Sequence, residues 1–172
     1  WTSTIKSSAV QLNGFVTVKQ DATVISETDT VYSITGGEVT VVLDKKTGNL
    51  VTTRNTANDY VLSFNNGPVL VKGNATVVSS KAYKEGTDAV VEFTYNGNMK
   101  YVRWKINAGG WTTMEYEYSL EGDQPFAGIS FNYPENYILS SRWLGKGPVR
   151  QWKNRLAGTS VNVWQNIYNN TH

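Results

Sequence analysis

The sequence predicts an all-β protein, a large antiparallel two-sheet β-sandwich. Three observations carry this. Val, Thr, Tyr, Ile and Trp dominate the patterned segments, and these are the residues that suit a pleated, half-buried surface. Gly and Asn separate those segments at short intervals, as turns between strands require. No segment keeps a helical period over three turns.

Phe15 to Lys19 (FVTVK) and Val39 to Asp44 (VTVVLD) read as strands. Between Asp44 and Leu50 the run DKKTGNL places Gly48 after a type I-like start, the signal of a hairpin with a bulge. Ala75 to Tyr83 and Ala89 to Tyr95 follow as strands. MKYVRWKIN (99–107) and WTTMEYEYSL (111–120) then form a hairpin through Ala108-Gly109-Gly110. Alternation assigns their faces. Val102, Trp104 and Ile106 share an apolar face, with Trp104 expected in the core. Tyr101, Arg103 and Lys105 share the other. In the partner Met114, Tyr116, Tyr118 and Leu120 form the apolar set. Trp111, Thr113, Glu115 and Glu117 point the opposite way, so Trp111 is expected to be exposed. Further strands are expected at Gly128 to Tyr133, Ile138 to Leu144 and Ser160 to Tyr168. Ten or more short strands without a linker or repeat fit one sandwich domain over 1–172.

At 172 residues one domain buries roughly 70% of the surface its unfolded chain exposes. There is no cysteine, and the single histidine is His172. This leaves almost no means to build a zinc, copper or haem site, and no cofactor is expected. It also removes the usual base for a Ser or Cys nucleophile. Glu115 and Glu117 lie at period two, so their carboxylates stand roughly 6–7 Å apart. A glycosidase pair has such a spacing, but alternating Glu on a solvated strand face produces it equally. The chain is therefore read as non-catalytic. No apolar run reaches the ~18 residues of a membrane span. No basic-then-apolar leader opens the chain, which starts at Trp1 and reads as a piece of something longer.

Net charge is +2, unevenly spread. Residues 1–135 hold 14 acids and 11 bases, giving −3; residues 136–172 hold 5 bases and no acid, giving +5. The basic run RWLGKGPVRQWKNRLAG (142–158) holds two tryptophans, three glycines and a proline. Such a patch favours an anionic partner or is simply a solvated basic face. No RNA-binding signature accompanies it, and nucleic acid is not an expected partner. Trp152 sits between Gln151 and Lys153, past a Gly-Pro turn. A tryptophan there offers a flat apolar face with a polar rim, and Arg and Lys beside it take hydroxyls or carboxylates. The same composition suits a carbohydrate site or a loop tucked against a sister domain.

The run WLGKGPVRQWKNR (143–155) resembles the C-terminal β-sandwich domain of β-galactosidases in glycoside hydrolase family two. That domain has a strand ending in Trp-x-Gly-x-Gly-Pro, followed by an acid, an aromatic and an Asp-Arg pair. Trp143, Gly145, Gly147, Pro148 and Arg155 match it, and Trp152 takes the aromatic place. LDKKTGNLVTT (43–53) is similar to an early hairpin of the same domain, and AGISFNYPENYILSSRW (127–143) to the strands before the motif. Two positions depart: Arg150 stands for the family's Glu and Asn154 for its Asp. The family's catalytic glutamates sit on a separate barrel. The resemblance therefore implies a sandwich in a carbohydrate-enzyme context, excised from a larger bacterial glycoside hydrolase that is periplasmic, secreted or at the cell surface.

The leading expectation is a non-catalytic carbohydrate-binding module. Its loop, stripped of acids, suits acidic glycans such as the uronic-acid-rich pectins. Trp152 would stack on the sugar, with Arg150, Lys153, Arg155 and Lys146 on its hydroxyls or carboxylates. Trp111 and Trp164 are further candidate platforms. The alternative is a structural domain that supports or edges the active site of its parent enzyme and binds no sugar alone. In either case the other domains of the parent are partners. An adhesion sandwich is a third possibility.

Overall fold

The computed structural model describes residues 21–55, 65–133, 135, 138–147 and 160–167. Among the described residues twelve strands run in chain order: β1 Val24–Glu27, β2 Val31–Gly36, β3 Val39–Asp44, β4 Leu50–Asn55, β5 Asn65–Leu70, β6 Ala75–Glu85, β7 Asp88–Gly97, β8 Met99–Ile106, β9 Thr112–Tyr118, β10 Ile129–Asn132, β11 Ser140–Gly147 and β12 Ser160–Ile167. They form a six-stranded sheet in the order β1-β2-β3-β4-β5-β10, a four-stranded sheet β6-β7-β8-β9, and a two-stranded ribbon β11-β12. Every pairing among them is antiparallel.

The two larger sheets are the sandwich. Alternation decides which side chains lie between them. In β2 Tyr32 and Ile34 are buried, and in β3 Val41 and Leu43. From the other sheet come Ala89, Val91 and Phe93 of β7 and Val102, Trp104 and Ile106 of β8. All belong to one apolar cluster, as expected for facing sheets with inward residues at period two. Tyr32 meets Phe93 edge-on at 6.1 Å, and its hydroxyl lies 3.1 Å from Ser80 Oγ on the opposite sheet. Trp104 packs edge-on against Phe131 of β10 at 6.4 Å.

The expected hairpins are present. Ile106 pairs with Thr112 across the Gly109-Gly110 turn. The Asp44–Leu50 turn has Asp44 Oδ1 accepting from Thr47 N at 2.7 Å, Gly48 at φ +74° and a register shift between Val42 and Leu43. The structure adds β1, β2, β4 and β5, which the composition had not singled out. It also separates β11 and β12 into a two-stranded sheet of their own. The expected strand at Phe15 to Lys19 and most of the 142–158 run lie outside the described residues.

Candidate functional site

The four-stranded sheet turns one face to the core and one outward. The outward face is a grid set by strand register. Lys81 of β6 stands opposite Glu92 of β7, Glu92 opposite Arg103 of β8, and Arg103 opposite Glu115 of β9. This row alternates cation and anion across all four strands. The row beside it runs Ser79, Thr94, Tyr101, Glu117.

Arg103 is the centre. Its Nη2 lies 2.5 Å from Glu85 Oε1, its Nε 3.4 Å from Glu92 Oε1, and its Nη1 3.2 Å from Glu115 Oε2. Three carboxylates thus fix one guanidinium, whose planar fork suits such multiple contact. Lys81 holds Glu92 at 2.7 Å, and the Tyr83 hydroxyl donates to Glu92 at 2.8 Å. Lys105 bridges Glu85 at 2.9 Å and Asp88 at 3.4 Å. These partners shift the titration of the grid. Hydrogen bonds from Lys105 and Arg103 hold the Glu85 carboxyl below its ordinary value. Glu92 is lowered chiefly by its bond from Lys81. The Glu85 carboxylate, with Tyr83 and Glu115, raises Arg103 further. Each of these groups keeps its charge at neutral pH.

Tyr101 is exposed beside this network. Tyr101, Thr94, Phe93, Glu92, Arg103 and Glu115 line a shallow cavity of about 350 Å³. The arrangement presents an aromatic ring next to hydrogen-bonding groups already locked in place. Such preorganisation lowers the ordering cost of binding.

Among the expected site residues that are described, Trp111 is openly displayed, with 80% of its surface exposed. It stands one residue ahead of β9, on a turn held by Asn107 Oδ1, which accepts from Gly109 N and Trp111 N at 2.9 and 3.0 Å. Trp164 is only partly exposed. Its indole N–H donates to the Gly145 carbonyl at 3.0 Å, and its ring lies on Gly147, where a Cβ would come within 2.7 Å of Nε1. Trp164 is thus largely engaged within the ribbon. Lys146 pairs in register with Val161, so by alternation it points from the ribbon face opposite Trp164. Lys146 and Trp164 thus stand on opposite faces of the ribbon, while Trp111 adjoins β9 of the four-stranded sheet. Arg150, Trp152, Lys153 and Arg155 lie outside the described residues.

Sequence reasoning placed Tyr101 and Arg103 on the outward face and treated the glutamates beyond them as solvated. It missed the cluster because Glu85 and Glu92 come from strands whose register is not written in local periodicity. Among the described residues no group of His, Cys, Asp or Glu is arranged to hold a metal ion.

The ribbon is the second unusual surface. Leu144 and Val163 pair across it, and both are exposed, as are Val161 and Ile167. No protein-family model matches the chain, and no curated protein matches it.

Proposed function

We propose that this chain is a non-catalytic carbohydrate-binding domain of a polysaccharide-degrading glycoside hydrolase, with sugar contacting the outward face of the four-stranded sheet. The observation that carries this reading is Tyr101 beside the fixed row Lys81-Glu92-Arg103-Glu115. A sugar ring has a flat C–H face and a rim of hydroxyls. An exposed aromatic ring fits the first. Carboxylates and a guanidinium at fixed spacing fit the second, because charged partners make the stronger hydrogen bonds. The resemblance of the 143–155 run to the family-two sandwich adds the enzyme context. Trp152 and its basic neighbours remain a second candidate contact within the same reading.

One observation favours the other reading, a domain that props its parent enzyme. The β11–β12 ribbon exposes Leu144, Val161, Val163 and Ile167 together. Isolated two-stranded ribbons are marginal in water, and contiguous exposed apolar patches mark interaction surfaces.

A glycan array with this chain, repeated with Tyr101→Ala and with Trp152→Ala, separates these. Binding abolished by Tyr101→Ala supports the sheet face. Binding abolished only by Trp152→Ala moves the site to the loop. Silence across the array rejects the binding domain in favour of the propping role.

A further inference from the structure

A second cavity opens at one corner of the sandwich, between the two large sheets. Its volume is about 290 Å³, close to the lower end of the roughly 300–1,000 Å³ of small-molecule sites. Both sheets build it. β5 supplies Pro68, Val69 and Leu70, while β6 and β7 supply Val77 and Tyr95, which are register partners. Leu70 belongs to the core cluster, and Val77 and Tyr95 pack against it, so the apolar wall continues the core outward. The turn that bears Lys46 and Asn49 closes the cleft on its polar side. Among the described residues no acid lines it. Lys46 is exposed at the rim, and Lys72 adjoins Gly73 of the lining; neither lysine makes an ion pair among the described residues. The acids nearby in the chain are already engaged. Asp44 Oδ1 accepts from Thr47 N and Oγ1, each at 2.7 Å, and Glu27 is held by Lys45.

We propose that this cleft binds a small carboxylic acid with an apolar body, an aryl- or alkyl-carboxylate. The body rests on Pro68, Leu70, Val77 and the Tyr95 ring, and removing its apolar surface from water drives association. The carboxylate accepts from Lys46 Nζ and the Asn49 amide. A few polar groups at the edge of an apolar pocket fix a ligand's orientation in this way. A neutral molecule of the same shape gains the apolar contact but leaves Lys46 without a partner. The Tyr95 hydroxyl is enclosed beside Gly48, so the ligand meets the ring and not the hydroxyl. Tyr95 shares the core side of β7 with Phe93, whereas Thr94 pairs with Tyr101 on the outward side. The cleft is therefore separate from the outward face, and the inference does not rest on the carbohydrate reading.

Titration of this chain with phenylacetate and with its neutral isostere phenylacetamide, followed by amide chemical shifts, tests the proposal. Saturable shifts are expected at residues 46–49 and 75–77 and at Leu70. Phenylacetate should bind about threefold to fivefold more tightly than the amide at low salt, the scale of one ion pair at the solvent boundary. That advantage should shrink as salt screens it. Lys46→Gln should abolish the advantage and leave the affinity for phenylacetamide unchanged, while Lys46→Arg should keep it. Lys46 is exposed, so both variants should fold as the unaltered chain does, which their unfolding curves check. The absence of saturable shifts at these residues with either probe overturns the proposal. So do equal affinities for acid and amide, or an advantage that survives Lys46→Gln. Each of these results leaves the carbohydrate reading standing, since that reading is tested with oligosaccharides at Tyr101.

Discussion

Arg103 reaches past β7 to Glu85 of β6, placing Nη2 2.5 Å from Oε1. Between them lies Val90, which by alternation faces outward with Glu92 and yet is fully buried. Its register neighbours are Tyr83 and Lys105, and Lys105 bridges to the same Glu85. The polar network therefore roofs an apolar residue on the outer side of the sheet, as the aliphatic stems of long charged side chains can do.

Arg103→Met tests that network. Glu85 and Glu92 titrate below their ordinary 4.5. Folded, they bind fewer protons than unfolded, so their contribution is whole above that value and is lost as pH falls through the lowered folded values. The variant removes the central cation and leaves Glu85, Glu92 and Glu115 without it. It is expected to unfold at a lower temperature near neutrality, with the deficit narrowing as acid protonates the carboxyls. Thermal unfolding from about pH 7 to about pH 3 checks this. A deficit that stays constant with pH would assign the effect to lost stem packing instead.

Tyr95 and Gly48 make a second test. A Cβ at Gly48 would clash with the Tyr95 hydroxyl, at a φ of +74°. Gly48→Ala should cost about 1–3 kcal/mol, from strain and overpacking together. The Tyr95 hydroxyl is buried with no hydrogen-bond partner, and burial raises its pKa. Tyr95→Phe should therefore be neutral or stabilising by up to about 1 kcal/mol. The double variant should recover part of the Gly48→Ala loss in urea denaturation. Additive losses would show that the two residues do not compete for the same space.

The core and the ribbon should respond in opposite ways. Phe93 is fully buried between the sheets, so Phe93→Ala should lose about 3–5 kcal/mol. Leu144 has 76% of its surface exposed. Leu144→Ser should change stability by no more than about 0.5 kcal/mol in this chain. It should also reduce binding of a hydrophobic dye. A large loss at Leu144 would mean that the ribbon is packed in solution.

Residues 99–120 show what local pattern can and cannot carry. Val102, Trp104 and Ile106 alternate cleanly, and their burial follows that alternation. The hairpin through Gly109-Gly110 was equally plain, because turn chemistry is local. β9 was harder: Met114 and Tyr118 pack against the core, while Tyr116 on the same face is exposed, since β9 ends its sheet. Periodicity names a face; it does not say how far the opposing sheet extends. The candidate site lay further still from view. Its residues come from four strands, and only the register of β6 to β9 sets Lys81, Glu92, Arg103 and Glu115 in one row.

Sugar binding on the outward face is tested most directly by calorimetric titration of a neutral oligosaccharide into this chain and into Tyr101→Ala, with unfolding curves showing that both are folded. Binding to the unaltered chain should be measurable and should fall roughly tenfold or more in the variant, the scale of removing an aromatic anchor. Equal binding by both would place the sugar elsewhere than the outward face of the four-stranded sheet.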